Sequence, residues 1–240
     1  MKPIARFIGR WLLWVVLAGL GLQFVFAGRI VMMTVLDPSS TTFQRSEAWR
    51  LLGSDSPSRW SQNWVPYDSI SPHLKRAVIA SEDAQFANHG GVDWQALQNA
   101  WEKNARRQAR ASARGANAKL IGGSTITQQL AKNLLLSGER HLLRKGQELI
   151  LALMLETMLS KERLLEIYLN HVEWGEGIFG AEAAAQHYFR KPASRLNAHE
   201  AARLAVMLPA PKRFQRQPYS NYLNHRTHTI VARMGAVQLP

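Results

Sequence analysis

Glu82 is an acid standing where the spacing calls for an apolar residue. In SPHLKRAVIASEDAQFANHGGVDW, residues 71–94, it follows Leu74 and Val78 at intervals of four, so one helical row runs from two aliphatic side chains into a carboxylate. An acid on such a row loses solvation, its pKa rises, and it becomes suited to proton transfer near neutral pH. Asp83 points about a third of a turn away. His89 precedes Gly90 and Gly91 in a tight turn, and it has two readings: a hydrogen-bonded structural histidine, the commoner fate of a lone His, or a group of the site.

A second set of residues offers charge instead of a base. In GGSTITQQLAKN, residues 122–133, Ser124, Gln128 and Lys132 fall at i, i+4 and i+8 on one helical face. A helix N-terminus behind flexible glycines attracts anions, and a lysine two turns on adds a full positive charge to the same groove. The plainer reading is a well-capped stripe facing solvent. Further on, Glu148 has Arg144 four residues before it and Arg140 a turn before that. This is either an intrahelical ion pair or the charged wall of a site for a phosphorylated substrate.

The elements that must position these residues are helical. Ser71 and Pro72 start one helix as cap and first residue, Asp93 caps the next, and Thr125 with Gln128 fits a capping box. Ile126, Leu130 and Leu134 form the face of the GGSTITQQ helix that packs on a core. From Leu149 to Leu159 the chain is apolar nearly all round, which predicts a buried central helix. Runs of alternating β-branched residues are missing, so the expected fold class is all-α. One interruption is expected, a solvated basic loop over residues 102–119, crowded with arginine, with contact to anionic lipid as its sharper reading.

The N-terminus carries Lys2, Arg6 and Arg10 and then an uncharged run from Trp11 to Gly28 that approaches the ~30 Å hydrocarbon core of a bilayer. It reads as a transmembrane anchor with its basic flank in the cytoplasm; a cleaved signal peptide ending near Ala27 is the minority view. The chain therefore divides into a basic flank and anchor over 1–36, a membrane-proximal connecting segment over 37–66 and a helical domain over 67–240. With 240 residues, a formal net charge of +13 and no cysteine, it can bury a real core, favours anionic partners, and cannot use disulfides, thiolate zinc sites or thiol catalysis. No metal cluster is apparent.

EDAQFANHGG, GGSTITQQLAKN, RKGQE and KERLLEIYLN, followed by GIFGAEAAAQHYF and EAARLAVMLPAP, occur in the order and approximate spacing of the bacterial peptidoglycan glycosyltransferases, over roughly residues 65–215. The chain resembles the monofunctional relatives of class A penicillin-binding proteins and departs from the pattern mainly in the Ala/Arg-rich stretch before Gly122. The resemblance implies a lysozyme-like, mainly helical fold that polymerises lipid II into β-1,4 glycan, inverting the donor's anomeric carbon and releasing undecaprenyl pyrophosphate. It implies Glu82 as general base and Glu148 as the second essential glutamate. Lys132 and Arg140 would hold the pyrophosphate, Ser124 and Gln128 would line the donor site, and Gln129, Asn133, Asp83 and His89 are further substrate-binding candidates. No obligatory cofactor is implied, though Mg or Mn would assist at the diphosphate. The implied partners are lipid II, the growing glycan, membrane lipids and other cell-wall synthesis or division proteins, and not nucleic acid. The implied place is the inner membrane, crossed once, with the catalytic domain in the periplasm. A membrane-anchored lysozyme-like hydrolase would use similar carboxylates without needing the lysine and arginine. A non-enzymatic basic membrane scaffold would explain the charge but not Glu82.

Overall fold

A computed structural model describes residues 2–53, 60–113, 116, 122–136 and 142–240. The first helix, α1 (Lys2–Met32), is the one described helix long and apolar enough to cross a membrane, over Phe7–Met32. At about 1.5 Å per residue it outruns the bilayer's apolar thickness. Its exposed side chains include the large aliphatics and aromatics from Phe7 to Val25 and also Val31 and Met32, whereas Ile30 and the following Met33 are buried in the core of the domain.

The segment 37–66 is more than a connector. It holds α2 (Thr42–Leu52), opened by a buried capping box in which Gln44 N donates to Thr41 and Thr41 N donates back to the Gln44 carboxamide. It also supplies β1 (Ser61–Gln62), the edge of a small sheet. The remaining helices are α3 (Pro72–Glu82), α4 (Trp94–Ser112), α5 (Ile126–Leu135), α6 (Leu142–Met158), α7 (Lys161–His171), α8 (Ala181–Phe189), α9 (Ala198–Met207), α10 (Pro211–Arg216) and α11 (Asn221–Met234). Between α7 and α8, β2 (Glu173–Gly175) pairs antiparallel with β3 (Ile178–Phe179), and β1 pairs parallel to β3 on its other side. One group of helices packs α3, α9 and α11 against one another; a second packs α5 on α6 and α7, with α2 against α5 and α1 against α6. A mainly helical fold with one apolar N-terminal helix is what the periodicity predicts.

The short-range signals hold. Ser71 caps α3 with Pro72 as its first residue, Asp93 caps α4 through Ala96 N, and the Thr125–Gln128 capping box opens α5. Ile126, Leu130 and Leu134 are buried together, as are Leu74 and Val78.

Two expectations are corrected. Residues 102–112 are not a loop: α4 continues through them to Ser112, with an i,i+4 pair between Glu102 and Arg106 at 3.8 Å. Alanine, arginine and glutamine are strong helix formers whatever their charge, so an arginine-rich stretch without glycine or proline propagates the helix. Residues 114–115 and 117–119 of the expected loop lie outside the described residues. Nor is the run from Leu149 to Leu159 buried all round. Leu151, Ala152 and Leu155 are fully enclosed, but Ile150 is 45% and Leu153 42% exposed. α6 lies against α1, where Gln23 and Gln147 exchange hydrogen bonds of 3.0 Å. An all-apolar helix suits contact with lipid as well as a core, and here α6 packs beside the apolar α1.

Candidate active site

Glu82 is the last residue of α3 and stands at the edge of the core that Leu74 and Val78 enter. Its Oε2 accepts a hydrogen bond of 3.1 Å from Gln129 Nε2, and Ser81 Oγ donates to its Oε1 at 3.3 Å. Burial raises its pKa, with the neighbouring charge of Asp83 adding to the rise; the bonds from Gln129 and Ser81 and the charge of Arg226 oppose it. The carboxylate is thereby a stronger base than an exposed glutamate, and its one strong donor is a neutral amide that does not neutralise it.

Gln129 is held in turn. The buried Tyr168 of α7 donates from its hydroxyl to Gln129 Oε1 at 3.0 Å, which turns the amide nitrogen toward Glu82. Burial drives the Tyr168 hydroxyl's pKa well up, so it remains a donor at any ordinary pH. Tyr168 is absent from the candidate residues drawn from the sequence, although KERLLEIYLN contains it.

Asp83 and His89 are brought together. His89 Nε2 lies 2.9 and 3.0 Å from the two Asp83 oxygens, and Gly91 N donates to His89 Nδ1, which makes Nε2 the protonated nitrogen. Asp83 Oδ2 also accepts from Ile126 N, the first amide of α5. Thr125 Oγ1 completes the joint by donating to Gly91 O at 2.6 Å. Gly91 has φ +89°, and a Cβ there would come within 2.8 Å of Glu156 Cγ, so only glycine fits. The bonds of Asp83 and His89 therefore fix the start of α5 relative to the end of α3, which is the distance from Gln129 to Glu82.

Two cavities flank that pair. The smaller, about 310 Å³, is lined by Glu82, Asp83, Asn99, Lys103 and Ser124 among others. The larger, about 440 Å³, is lined by Gln129, Lys132, Asn133, Arg144 and Glu173, with Phe43, Leu208, Pro209 and Pro211 as apolar wall. Gln129 borders the larger cavity while bonding to Glu82, which borders the smaller. Ser124 is exposed just ahead of the cap, so it faces the Glu82 cavity, not the one that Lys132 lines. Gln128 is buried, its carboxamide oxygen spent on Thr125 N, and lines neither cavity. Lys132 is exposed and Asn133 half-buried, both on the larger cavity.

Glu148 is buried one turn beyond Arg144 on α6. Arg144 Nη1 lies 3.4 Å from its Oε2, and Lys145 Nζ pairs with its Oε1. The acid sets the orientation of a cation in the cavity wall instead of lining the cavity itself. Arg140 lies outside the described residues. Among the described residues no group of three or more His, Asp and Glu side chains is placed to hold a metal ion.

The Transglycosylase family matches residues 51–235. A biosynthetic peptidoglycan transglycosylase of Burkholderia pseudomallei (strain K96243) is 54% identical over 98% of this chain and 90% of its own length. One of Burkholderia multivorans (strain ATCC 17616 / 249) is 52% identical over 95% of this chain and 92% of its own. Similarity of that depth, running almost end to end and spanning both the carboxylate that closes α3 and the basic wall of the larger cavity, places the chain in the transglycosylase family, the glycosyltransferases of peptidoglycan synthesis.

Proposed function

We propose that this chain is a monofunctional peptidoglycan glycosyltransferase that joins lipid II units into β-1,4 glycan, with Glu82 as general base. The observation that carries the reading is the placement of one desolvated carboxylate, linked through Gln129, beside a cavity walled by Lys132 and Arg144. The growing chain is the donor, its diphosphate in the cationic larger cavity; incoming lipid II presents the 4-hydroxyl of its GlcNAc to Glu82 from the smaller one. The hydroxyl oxygen attacks the donor's anomeric carbon from the side opposite the diphosphate, and its proton passes to Glu82. The bond from carbon to diphosphate breaks with its electron pair on the departing oxygen, so the α-linked donor yields a β-linked product. Lys132 and Arg144 offset the negative charge gathering on the leaving group, and Glu148 keeps Arg144 aimed at it. Mg or Mn would supply a counter-ion to the diphosphate, held by the substrate and not by a group of described side chains. Ser124 contributes from the Glu82 side, and Asp83 and His89 hold the geometry.

The competing chemistry is cleavage of finished glycan by the same base. A hydrolase gains nothing from cations poised for a diphosphate, so synthesis and cleavage separate cleanly in an assay. Purified protein is expected to consume labelled lipid II, release undecaprenyl pyrophosphate and leave purified sacculi intact. Soluble fragments from sacculi, with no polymer from lipid II, would establish the hydrolase instead.

The place of action is also part of the proposal. Lys2, Arg6 and Arg10 precede the apolar run of α1, and the positive-inside bias puts that end in the cytoplasm and the domain in the periplasm of the inner membrane. A reporter fused after Pro240 should be active only if it is of a type that works in the periplasm, and the mature protein should keep residues 1–28. A soluble form beginning near Gly28 would mark α1 as a cleaved signal. Other cell-wall synthesis or division proteins are the partners expected at that site.

A further inference from the structure

Glu173 falls between the family motifs, yet it lines the larger cavity together with Lys132 and Arg144. β2 holds it there, through its pairing with Phe179 of β3, while β2 packs on α10. The side chain is 10% exposed, and its Oε1 is shielded from solvent, with only a long contact from Lys212 among the described residues. The nearest cation is Lys212 of α10, 3.4 Å from that oxygen, but Lys212 sits closer to Glu47 of α2, at 2.6 Å. Glu47 is also bound by Arg50, which reaches on to Glu176. Tyr188 of α8, the other titratable neighbour, has its hydroxyl committed to Trp174 O. One lysine is thus shared by two acids, and the bond of hydrogen-bonding length belongs to the other one.

A charged carboxylate in this wall would work against the cavity's proposed purpose, because it would repel the same diphosphate that Lys132 and Arg144 attract. A carboxyl that keeps its proton has the opposite effect, since it adds a donor without adding a charge. We infer that Glu173 is a substrate-positioning residue of the donor cavity, a neutral carboxyl that donates a hydrogen bond to an oxygen of the donor's diphosphate. The inference rests on the transferase reading above and adds to it a residue that no family motif supplies. Burial, followed by the like charge of Glu47, pushes the Glu173 carboxyl up to about 7 against the pull of Lys212 and Arg50. The donor form is therefore present below that pH and lost above it. Bound diphosphate raises the group further, so the loss belongs to the free enzyme and appears in KM.

The test compares wild type, Glu173→Gln and Lys212→Met, each as full-length protein in detergent, in steady-state polymerisation of lipid II from about pH 5.5 to 8.5. Wild-type KM should rise roughly three- to tenfold above neutrality. In Glu173→Gln, which donates at every pH, that rise should vanish while kcat stays within about twofold. In Lys212→Met the rise should move to higher pH, because the nearest cation is gone and Glu47 remains. A KM profile of Glu173→Gln that follows wild type overturns the inference, and so does a kcat loss with KM unchanged. If Glu173→Gln fails to fold, Lys212→Met decides, and an unmoved rise counts against it. No polymer from the wild type would be a failure of the transferase reading itself, and is read before any variant.

Discussion

Glu82→Gln should lower turnover of lipid II by about 10²–10⁴-fold, the usual cost of losing a general base, while leaving the fold and donor binding in place. The substitution is close to isosteric. A glutamine at 82 can present its carbonyl oxygen to Gln129 Nε2, so the link from α3 through Gln129 to Tyr168 survives. What disappears is the ability to take a proton from the acceptor hydroxyl. The loss should therefore fall on kcat, with thermal stability equal to or above that of the wild type, since an acid whose charged form is disfavoured by burial has become neutral. Polymerisation near the normal rate would remove Glu82 from the mechanism and leave its burial as a feature of packing alone.

Lys132→Ala should cost about 10²–10³-fold in polymerisation, as expected when one preorganised partner of a developing charge is removed. The comparison is with Arg107→Ala and Arg110→Ala, which remove the same formal charge from the exposed face of α4 and should stay within about twofold. Lys132 borders the larger cavity, and neither of these arginines borders either of the two cavities beside Glu82. Equal damage at all three positions would mean that the chain uses its positive excess for general attraction to the membrane. The contrast also separates a positioned cation from net charge, because all three variants change the formal +13 by the same amount.

What the sequence revealed follows the range of the interactions involved. Caps are decided within four residues, and Ser71, Asp93 and Thr125 can be read directly from their neighbours. The apolar row that ends in Glu82 is equally local, and so is the direction of its pKa. Gln128 shows the limit of that approach. The sequence gives it two roles, a capping-box side chain and a member of the Ser124–Lys132 face, and the local hydrogen bond takes it. Gln129 then becomes the amide that reaches Glu82, a choice fixed by Tyr168, which lies 39 positions away. The exposed side of α6 was beyond reach for the same reason, because a fully apolar helix carries no mark that distinguishes core from lipid until α1 is seen beside it. Glu173 carries no mark in its own stretch of sequence, because its significance comes from Lys212 and Glu47, on two other elements.

Ile30 of α1 and Met33 just beyond its end both belong to the core of the domain, and Arg163 of α7 fastens the exit by hydrogen bonds to Met33 O and Leu36 O and an ion pair with Asp37. Such a joint leaves no free linker between α1 and the domain. With α1 seated in a bilayer, the standoff of the cleft from the leaflet would be set by that joint and not by a tether. On the proposed transferase reading, such a mount would meet lipid-linked diphosphates, which share the headgroup depth, at one height. In that arrangement the consequence would fall on the product: after each bond is made, the strand and not the cleft would have to move.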